Sequence, residues 1–346
     1  MSRLETVPTV PQETRLIDSF GRRLTYLRVS VTDRCNLRCT YCLPADATFP
    51  FGDRDFLSAD EIETIVGALA RLGIQRVRLT GGEPLLRRDI LEIARRIKAL
   101  PGIEDLALST NGTELERLAP ALKEAGVDRV NVSLDSLDPE TFREITRNGD
   151  IEQVWRGIEA ALAAGLHPVK LNAVLLAQSN VSNQHEDLDR LVALTLERPL
   201  SIRFIEMMPT ASNRHLQPAE YVSCDAVRAR IEERFGLLEP SGTLTARTGP
   251  AKAFRLPGAA GEVGFITPLS HTFCAECNRL RLTARGELRL CLFADKVHPL
   301  RPLLAGSAPD AALEAEILRV LADKPAEHML TQGNYGNLVS FMQIGG

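Results

Sequence analysis

Short hydrophobic runs rich in β-branched residues alternate with longer mixed stretches along the first two thirds of the chain. Each run has the length and composition of a strand that is buried on both faces. In the stretches between them, apolar residues recur at the spacing of an amphipathic helix. The pattern therefore predicts strands at 26–31, 76–80, 105–110, 129–134, 169–175 and 202–206.

Helix boundaries between these strands are marked by capping residues. Ser58 and Glu61 form a capping box at the start of one helix, which is expected to end at Gly73. Further helices are predicted at 114–125 and 151–164, and a glycine follows each of them. Six strands that alternate with helices imply parallel pairing through right-handed crossovers. The predicted fold is α/β, an incomplete (βα)6 TIM-type barrel rather than a complete eight-unit barrel.

The character of the chain changes after the sixth predicted strand. A helix is predicted at 223–235, with Cys224 as an apolar filler in its first turn, and another near 311–321. Residues 239–295 are rich in Gly, Pro and Thr and contain short alternating strands, so we expect a β-rich C-terminal region. The predicted parts are an N-terminal arm at 1–20, the partial barrel at 21–236 and the C-terminal region at 237–346.

Composition narrows the class of protein. With 346 residues, of which 44% are hydrophobic and 25% charged, the chain has the make-up of a globular protein of about two domains. The net charge of −4 argues against a general nucleic-acid binder. No apolar run is long enough to span a membrane, and residues 1–20 lack the apolar segment of a secretory signal. We expect a cytoplasmic protein that binds neither nucleic acid nor membranes.

Six of the seven cysteines fall into two groups of three. Such spacing in a cytoplasmic enzyme indicates a metal site or catalysis more often than disulfides. Three thiolates on a four-iron cluster leave one iron open, and the first group has no obvious fourth ligand nearby for zinc. The second group is ambiguous, because His298 could complete a zinc site with it. The first cysteine group is Cys35, Cys39 and Cys42 (C-x3-C-x2-C), and the second cysteine group is Cys274, Cys277 and Cys291 (C-x2-C-x13-C).

Polar, turn-forming residues gather where the predicted strands end. The first cysteine group follows the first strand, and Gly81 and Gly82 follow the second. Ser109 lies at the end of the third strand and Ser133 at the end of the fourth. The carboxyl ends of barrel strands form one rim, where active sites lie. We therefore expect these residues to border a common site.

Four basic residues lie in or near the ends of predicted strands: Arg28, Arg78, Lys170 and Arg203. Burying several cations in one barrel costs free energy unless anions accompany them. Phosphate groups supply such anions, and the arginine guanidinium binds them in bidentate fashion. These residues predict an internal site for a phosphate-bearing ligand.

The first cysteine group in CNLRCTYC and the segment GGEP at 81–84 resemble the radical S-adenosylmethionine (SAM) superfamily. Glycine in that segment lets the backbone approach the methionine part of SAM closely. Further segments narrow the resemblance to the GTP 3′,8-cyclase family, from about residue 14 to the last residue. They are LRVSVTDRCNLRCTYC at 27–42, RLTGGEP at 78–84, RFIEMM at 203–208, FCAECNRLRLTARGELRLCLF at 273–293 and the terminal pair Gly345-Gly346.

The resemblance implies an incomplete (βα)6 barrel of the radical SAM type, closed by a C-terminal β-rich region. It also implies a radical SAM lyase that opens molybdenum cofactor biosynthesis. It implies two 4Fe–4S clusters, with SAM on the open iron of the first and the guanine of GTP on that of the second. A 5′-deoxyadenosyl radical would abstract the 3′ hydrogen of the GTP ribose, and C3′ would then attack C8 of guanine. The product would be (8S)-3′,8-cyclo-7,8-dihydroguanosine 5′-triphosphate. Implied partners are GTP as substrate, an unidentified electron donor, a downstream cyclic pyranopterin monophosphate synthase and a second copy of the chain in a homodimer.

The family's site residues carry over position by position. The positions matched to SAM contacts are Tyr41, Gly82, Ser133 and Met208. The positions matched to GTP contacts are Arg28, Arg78, Ser109, Lys170, Arg279, Leu280 and Arg281, with serine at 109 where the family often has threonine. Catalytic roles are implied for Arg28, Lys170 and Arg203, and for Gly345 and Gly346 in a tail that would enter the active site.

Alternatives stay open at this point. Another radical SAM enzyme with an auxiliary cluster, such as a peptide maturase, would share the first motifs without needing the phosphate-binding arginines. A zinc-stabilised binding module would use both cysteine groups structurally. Glu83 also has two interpretations, because it could bind the SAM amino group or brace its own loop.

Overall fold

Six parallel strands form the centre of the sheet, and hydrophobic burial explains why each one forms. Their outward-facing residues, such as Val77 and Leu79, are fully buried beneath the surrounding helices. The structure is a computed structural model that describes residues 15–182, 186–241, 249–306, 308–330 and 341–344. All six predicted strands are confirmed, with ends within one residue of those expected. They are β1 (Tyr26–Ser30), β2 (Arg76–Thr80), β3 (Asp105–Thr110), β4 (Arg129–Ser133), β5 (Lys170–Leu175) and β6 (Ser201–Glu206).

Helices connect these strands and cover the outer face of the sheet. The predicted capping box is confirmed, since the Ser58 side chain accepts from the Glu61 amide and Glu61 accepts from the Ser58 amide. An additional helix after β4 was not predicted; it begins at the N-cap Asp138. The helices are α1 (Ala59–Arg71), α2 (Ile90–Ala99), α3 (Leu115–Glu124), α4 (Pro139–Thr146), α5 (Ile151–Ala163), α6 (Asp187–Glu197), α7 (Gln217–Glu220), α8 (Cys224–Phe235) and α9 (Pro309–Val320). Cys224 is buried at the first residue of α8, as predicted.

Strands from the C-terminal part of the chain extend both edges of the parallel core. One of them, β9 (Glu262–Ile266), pairs in parallel with β6, and β10 (Arg279–Leu282) pairs in parallel with β1. The partial barrel is confirmed, but the described strands do not close it. Instead, antiparallel strands lie outside β9 and β10, and they are β7 (Glu239–Pro240), β8 (Lys252–Arg255), β11 (Glu287–Arg289) and β12 (His298–Pro299).

The two faces of the sheet differ in polarity. The outer face contributes Leu27, Leu106 and Ile202 to one large hydrophobic core that also includes the helices. The inner face carries Arg28, Asn131 and other polar side chains, because side chains alternate between the faces of a strand. None of the described helices has both the length and the apolar composition required to cross a membrane. A polar interior of this kind is built to hold a polar ligand.

Candidate active site

A cavity of about 320 Å³ runs through the interior of the partial barrel, from residues at the amino ends of the strands, such as Tyr26, to residues at their carboxyl ends, such as Ser133. All six cysteines of the two groups line it, although the groups are more than 200 residues apart in the chain. β10, which begins two residues after Cys277, pairs in parallel with β1, which precedes Cys35. Cys277 therefore lies at the amino end of this strand pair, and the first cysteine group lies beyond its carboxyl end. The paired parallel strands thus place the two cysteine groups at opposite ends of one cavity.

The glycine-rich segment after β2 packs directly on the loop that carries the first cysteine group. The amide of Gly82 donates to the Thr32 carbonyl at 2.8 Å, and the amide of Glu83 donates to the Arg34 carbonyl at 2.7 Å. A Cβ atom on Gly82 would lie only 2.3 Å from the Arg34 carbonyl oxygen, and one on Gly81 would lie 2.4 Å from the Thr32 carbonyl oxygen. Glycine is therefore required at both positions for the two loops to meet.

Glu83 braces this segment. Its side chain is fully buried and accepts from the Leu85 amide (2.9 Å), the Thr110 hydroxyl (2.9 Å) and the Asn111 amide (2.6 Å). Burial raises the pKa of the carboxyl to about 7 despite these hydrogen bonds. Of the two interpretations of Glu83, the contacts in the structure support the bracing role.

Tyr41, beside the last cysteine of the first group, is fixed by two side chains from distant parts of the sequence. Its hydroxyl donates to Asp135 Oδ2 at 2.8 Å, and the Asn213 side chain donates to its carbonyl oxygen at 2.6 Å. Burial raises the pKa of Asp135 to about 6. Asp135 and Asn213 stand 94 and 172 residues from Tyr41, and no local pattern signals contacts of that range.

The first cysteine group has the donor chemistry that an iron–sulfur cluster requires. Burial raises the pKa of Cys35 to about 11 and that of Cys39 well above its usual value. Thiolates in such a setting need a bound cation to stabilise them, and cluster iron supplies that charge. The Leu37 amide and the Asn111 side chain donate to Cys35 Sγ at 3.4 and 3.9 Å. These residues fit a cluster, because hydrogen bonds to sulfur accompany cysteine ligation.

The second cysteine group lies in a more cationic setting. Although burial opposes it, the Arg279 and Lys324 cations lower the pKa of Cys277 to about 7. His298, the possible zinc ligand, does not border the cavity; it lies on β12 with Nε2 3.7 Å from Asp323. Among the described residues, no three His, Cys, Asp or Glu side chains are placed to ligate one metal ion. Cysteines that bind different irons of a cluster need not meet that condition.

Five arginines line the same cavity, against two carboxylates, Asp135 and Glu206, among its described residues. Both carboxylates accept hydrogen bonds, Asp135 from Tyr41 and Glu206 from the amides of Leu269 and Ser270 at 3.0 Å. Burial and mutual repulsion lower the pKa values of Arg28, Arg78, Arg203 and Arg281, that of Arg203 to about 9 and that of Arg281 to about 10. The five are Arg28, Arg78, Arg203, Arg279 and Arg281.

Lys170 lies at the start of β5, on the same face as the cavity residues Asn172 and Val174. Its side chain is fully buried, and Nζ has no hydrogen-bond partner in the described part of the chain. Burial, followed by repulsion from Arg203, lowers its pKa to about 5. The five cavity arginines carry more positive charge than the two described carboxylates of the lining can neutralise, and a polyanion beside Lys170 would favour its charged form as well.

Most other predicted site residues border the cavity, but the side chain of Leu280 does not. Leu280 points into the hydrophobic core, because the flanking Arg279 and Arg281 occupy the inner face of β10. Only its main-chain groups can serve a ligand. Gly345 and Gly346 lie outside the described residues, but Phe341 and Met342, which were not predicted, line the cavity. The predicted residues Tyr41, Gly82, Ser109, Ser133 and Met208 line it as well.

Comparison with known proteins identifies the family. Residues 29–191 match the model of the radical SAM superfamily, and residues 200–330 match the model described as Molybdenum Cofactor Synthesis C. The GTP 3′,8-cyclase of Pelotomaculum thermopropionicum is 46% identical over 329 residues, which cover 95% of this chain and 99% of that protein. The chain belongs to the GTP 3′,8-cyclase family. The GTP 3′,8-cyclase of Moorella thermoacetica is similar to this chain to the same degree. It is 47% identical over 95% of this chain and 99% of that protein.

Solved structures share the fold at much lower sequence identity. Streptococcus suis SuiB bound to S-adenosylmethionine is 16% identical, with a TM-score of 0.57 over 89% of this chain and 68% of that one. This likeness supports the radical SAM type of partial barrel. A radical SAM protein binds SAM at a 4Fe–4S cluster, and the first cysteine group with its glycine cradle fits both.

Proposed function

We propose that this chain is a radical SAM lyase, a GTP 3′,8-cyclase that converts GTP into (8S)-3′,8-cyclo-7,8-dihydroguanosine 5′-triphosphate. This reaction is the first step of molybdenum cofactor biosynthesis. The observation that carries the proposal is that two cysteine groups and five arginines border one cavity. Radical generation and polyanion binding can therefore occur within one enclosed space.

The first cysteine group holds the 4Fe–4S cluster and SAM in this proposal. Cys35, Cys39 and Cys42 would hold the cluster, which would supply the electron for reductive cleavage of SAM and thereby the radical chemistry at the 3′ hydrogen of GTP. The protein orients SAM and excludes water from the reacting atoms. Gly82 supports this role, because its lack of a side chain brings the loops together. The proposed SAM contacts are Tyr41, Gly82, Ser133 and Met208.

The second cysteine group holds a second 4Fe–4S cluster, whose open iron would bind the guanine of GTP. The lowered pKa of Cys277 supports ligation by a thiolate at neutral pH. Binding of the triphosphate far from the reacting carbon would fix the ribose, so that C3′ faces first SAM and then C8. The proposed GTP contacts are Arg28, Arg78, Ser109, Lys170, Arg279, Arg281 and the main chain of Leu280.

Three cations and the chain terminus are proposed to act at the reaction centre. Arg28 and Arg203 border the cavity, and Lys170 lies beside them in the barrel interior. They would hold the negative charge of GTP in the barrel interior and so orient its ribose. The terminal Gly345-Gly346 would extend into the cavity, a proposal supported by Phe341 and Met342 in its wall.

The remaining features of the proposal concern organisation and partners. The arm at 1–20, the barrel at 21–236 and the C-terminal region at 237–346 are proposed as the three parts of the chain. An electron donor would reduce the clusters, and cyclic pyranopterin monophosphate synthase would take up the product. We place the enzyme in the cytoplasm as a homodimer.

One anaerobic experiment tests the proposal against its alternatives. The reconstituted protein is incubated with SAM, a reductant and GTP, and 5′-deoxyadenosine and the cyclised nucleotide are measured together with iron and sulfide. We expect both products and roughly eight irons per chain, four for each cluster. Absence of saturable GTP binding would favour a maturase, and zinc without sulfide would favour a binding module. The Cys35→Ala/Cys39→Ala/Cys42→Ala variant is the control, since it should form neither product.

A further inference from the structure

The segment 324–326, after α9, packs against the region of the second cysteine group. Lys324 is only 3% exposed, and its Nζ donates to the carbonyl oxygens of Arg279, at 3.2 Å, and of Leu290. The same Nζ lies 4.0 Å from Cys277 Sγ. Leu290 directly precedes Cys291, so one ammonium group contacts the backbone beside one cysteine and the sulfur of another.

Cys274, the remaining cysteine of the group, is held by Arg22, which lies near the N-terminal end of the chain. Arg22 Nη1 donates to the carbonyl oxygens of Cys274 at 2.8 Å and Ala326 at 2.7 Å, and Nη2 donates to the Pro325 carbonyl at 2.6 Å. Its Nε is paired with Asp18 at 2.6 Å. Arg22 therefore ties Cys274 to the same segment that carries Lys324.

The charge balance of the two cations differs. Arg22 has a carboxylate partner in Asp18, whereas Lys324 forms no ion pair with a carboxylate among the described residues. The neighbouring Asp323 pairs instead with the exposed Lys296, at 2.6 Å. A buried ammonium needs negative charge close by, and carbonyl dipoles supply that only in part. Among the described residues, the Cys277 sulfur lies 4.0 Å from Nζ and can supply negative charge as a thiolate.

We propose that Lys324 is a positioning residue for the second cluster, and that its positive charge raises the reduction potential of that cluster. Reduction adds negative charge, so a cation beside a ligating sulfur stabilises the reduced form. Arg22 completes the support by fixing the backbone at Cys274. The inference rests on the proposed function, because it requires that the second cysteine group holds a cluster.

The test isolates the second cluster in a parent protein with Cys35→Ala, Cys39→Ala and Cys42→Ala. Lys324→Met keeps the length of the side chain but removes the charge, and Lys324→Arg keeps the charge. Lys296→Met is the matched control, since it removes a surface lysine bound to the adjacent Asp323. Iron and sulfide content and the midpoint potential, from an EPR-monitored redox titration, are measured for each variant after anaerobic reconstitution.

We expect Lys324→Met to lower the equilibrium constant for reduction about tenfold or to reduce the cluster content clearly. Lys324→Arg should recover most of either loss, and Lys296→Met should behave as the parent does. A Lys324→Met protein with unchanged potential and content would overturn the inference, and so would a Lys324→Arg protein that behaves like Lys324→Met. A parent that binds no iron and sulfide would contradict the second cluster itself, and with it the proposed function.

Discussion

The first and second cysteine groups border one cavity but differ in their charged neighbours. Around the first group, burial and then nearby carboxylates such as Asp135 raise the thiol pKa values. Around the second group, Arg279 and Lys324 lower the pKa of Cys277. The same residue type thus lies in electrostatically opposite surroundings within one site.

This difference matches the charge of the two proposed ligands. SAM carries a sulfonium cation, which carboxylates such as Asp135 favour, and GTP carries a triphosphate, which the arginines favour. A polyanion is attracted to the cationic side of the cavity and SAM to the other. The charge of each side of the cavity, as well as its shape, can therefore direct each ligand to its own cluster. The predictions below test that division.

Removing one cysteine group at a time should produce the largest effect. The Cys35→Ala/Cys39→Ala/Cys42→Ala variant should lose formation of 5′-deoxyadenosine by at least about a hundredfold, because the cofactors carry that step. The Cys274→Ala/Cys277→Ala/Cys291→Ala variant should still cleave SAM but form no cyclised nucleotide. Chromatography of 5′-deoxyadenosine and of the cyclised nucleotide measures the two activities separately. Loss of SAM cleavage to the same extent in both variants would contradict separate roles.

A methyl group at Gly82 should damage the first site alone. In Gly82→Ala the new Cβ would lie 2.3 Å from the Arg34 carbonyl oxygen, so the cysteine loop must move. We expect a loss of about 1–3 kcal/mol in the free energy of unfolding, by analogy with overpacking, and less iron at the first site. Denaturant unfolding and iron analysis check this. Gly52→Ala is the control, since the nearest atom to its Cβ would be 3.7 Å away.

Removing a cavity arginine should weaken GTP binding and spare SAM binding. Arg281→Met deletes a buried cation from the inner face of β10. A hydrogen bond to a charged group contributes about 1.5–3 kcal/mol, which corresponds to a Kd for GTP about 10- to 100-fold higher. Calorimetry with each ligand measures the two affinities. Arg285→Met, which removes a half-exposed arginine outside the cavity lining, should change neither.

The smallest predicted effect is a proton taken up when GTP binds. The pKa of Lys170 is about 5 without a ligand, and an adjacent triphosphate would raise it. The affinity for GTP should then be highest below pH 5, where Lys170 is charged with or without GTP. It should fall by at most about tenfold per pH unit as the pH rises from 5 to the pKa of Lys170 in the GTP complex. Calorimetry at pH 7 in buffers of different ionisation enthalpy counts the proton. If the Lys170→Met variant takes up the same number of protons on binding GTP, the proton belongs to a group other than Lys170.

The sequence predicted what local patterns encode. Buried β-branched runs marked the six strands, and Ser58 with Glu61 marked the start of α1. The inward direction of Arg279 and Arg281 also follows from strand alternation, and the same rule would have turned Leu280 outward. The spacings of the cysteines indicated metal chemistry before the fold was considered.

Other features depend on contacts between distant segments, which no window of sequence contains. Asp135 reaches Tyr41 because two strand ends meet at one rim, and Lys324 reaches Cys277 because the segment after α9 returns to the cavity. The C-terminal strands extend both edges of the sheet because β9 and β10 pair with β6 and β1. The sequences of these short strands contain no pattern that predicts the strands with which they pair.

Transfer of the ribose 3′ hydrogen is the most direct test of the central claim. The reconstituted protein is given SAM, a reductant and GTP that carries deuterium at C3′, and both products are examined by mass spectrometry. The proposal predicts that 5′-deoxyadenosine gains one deuterium and that the cyclised nucleotide loses it, in equal amounts. Formation of 5′-deoxyadenosine without deuterium, and with GTP unchanged, would contradict the assignment of this cavity as a GTP cyclase site.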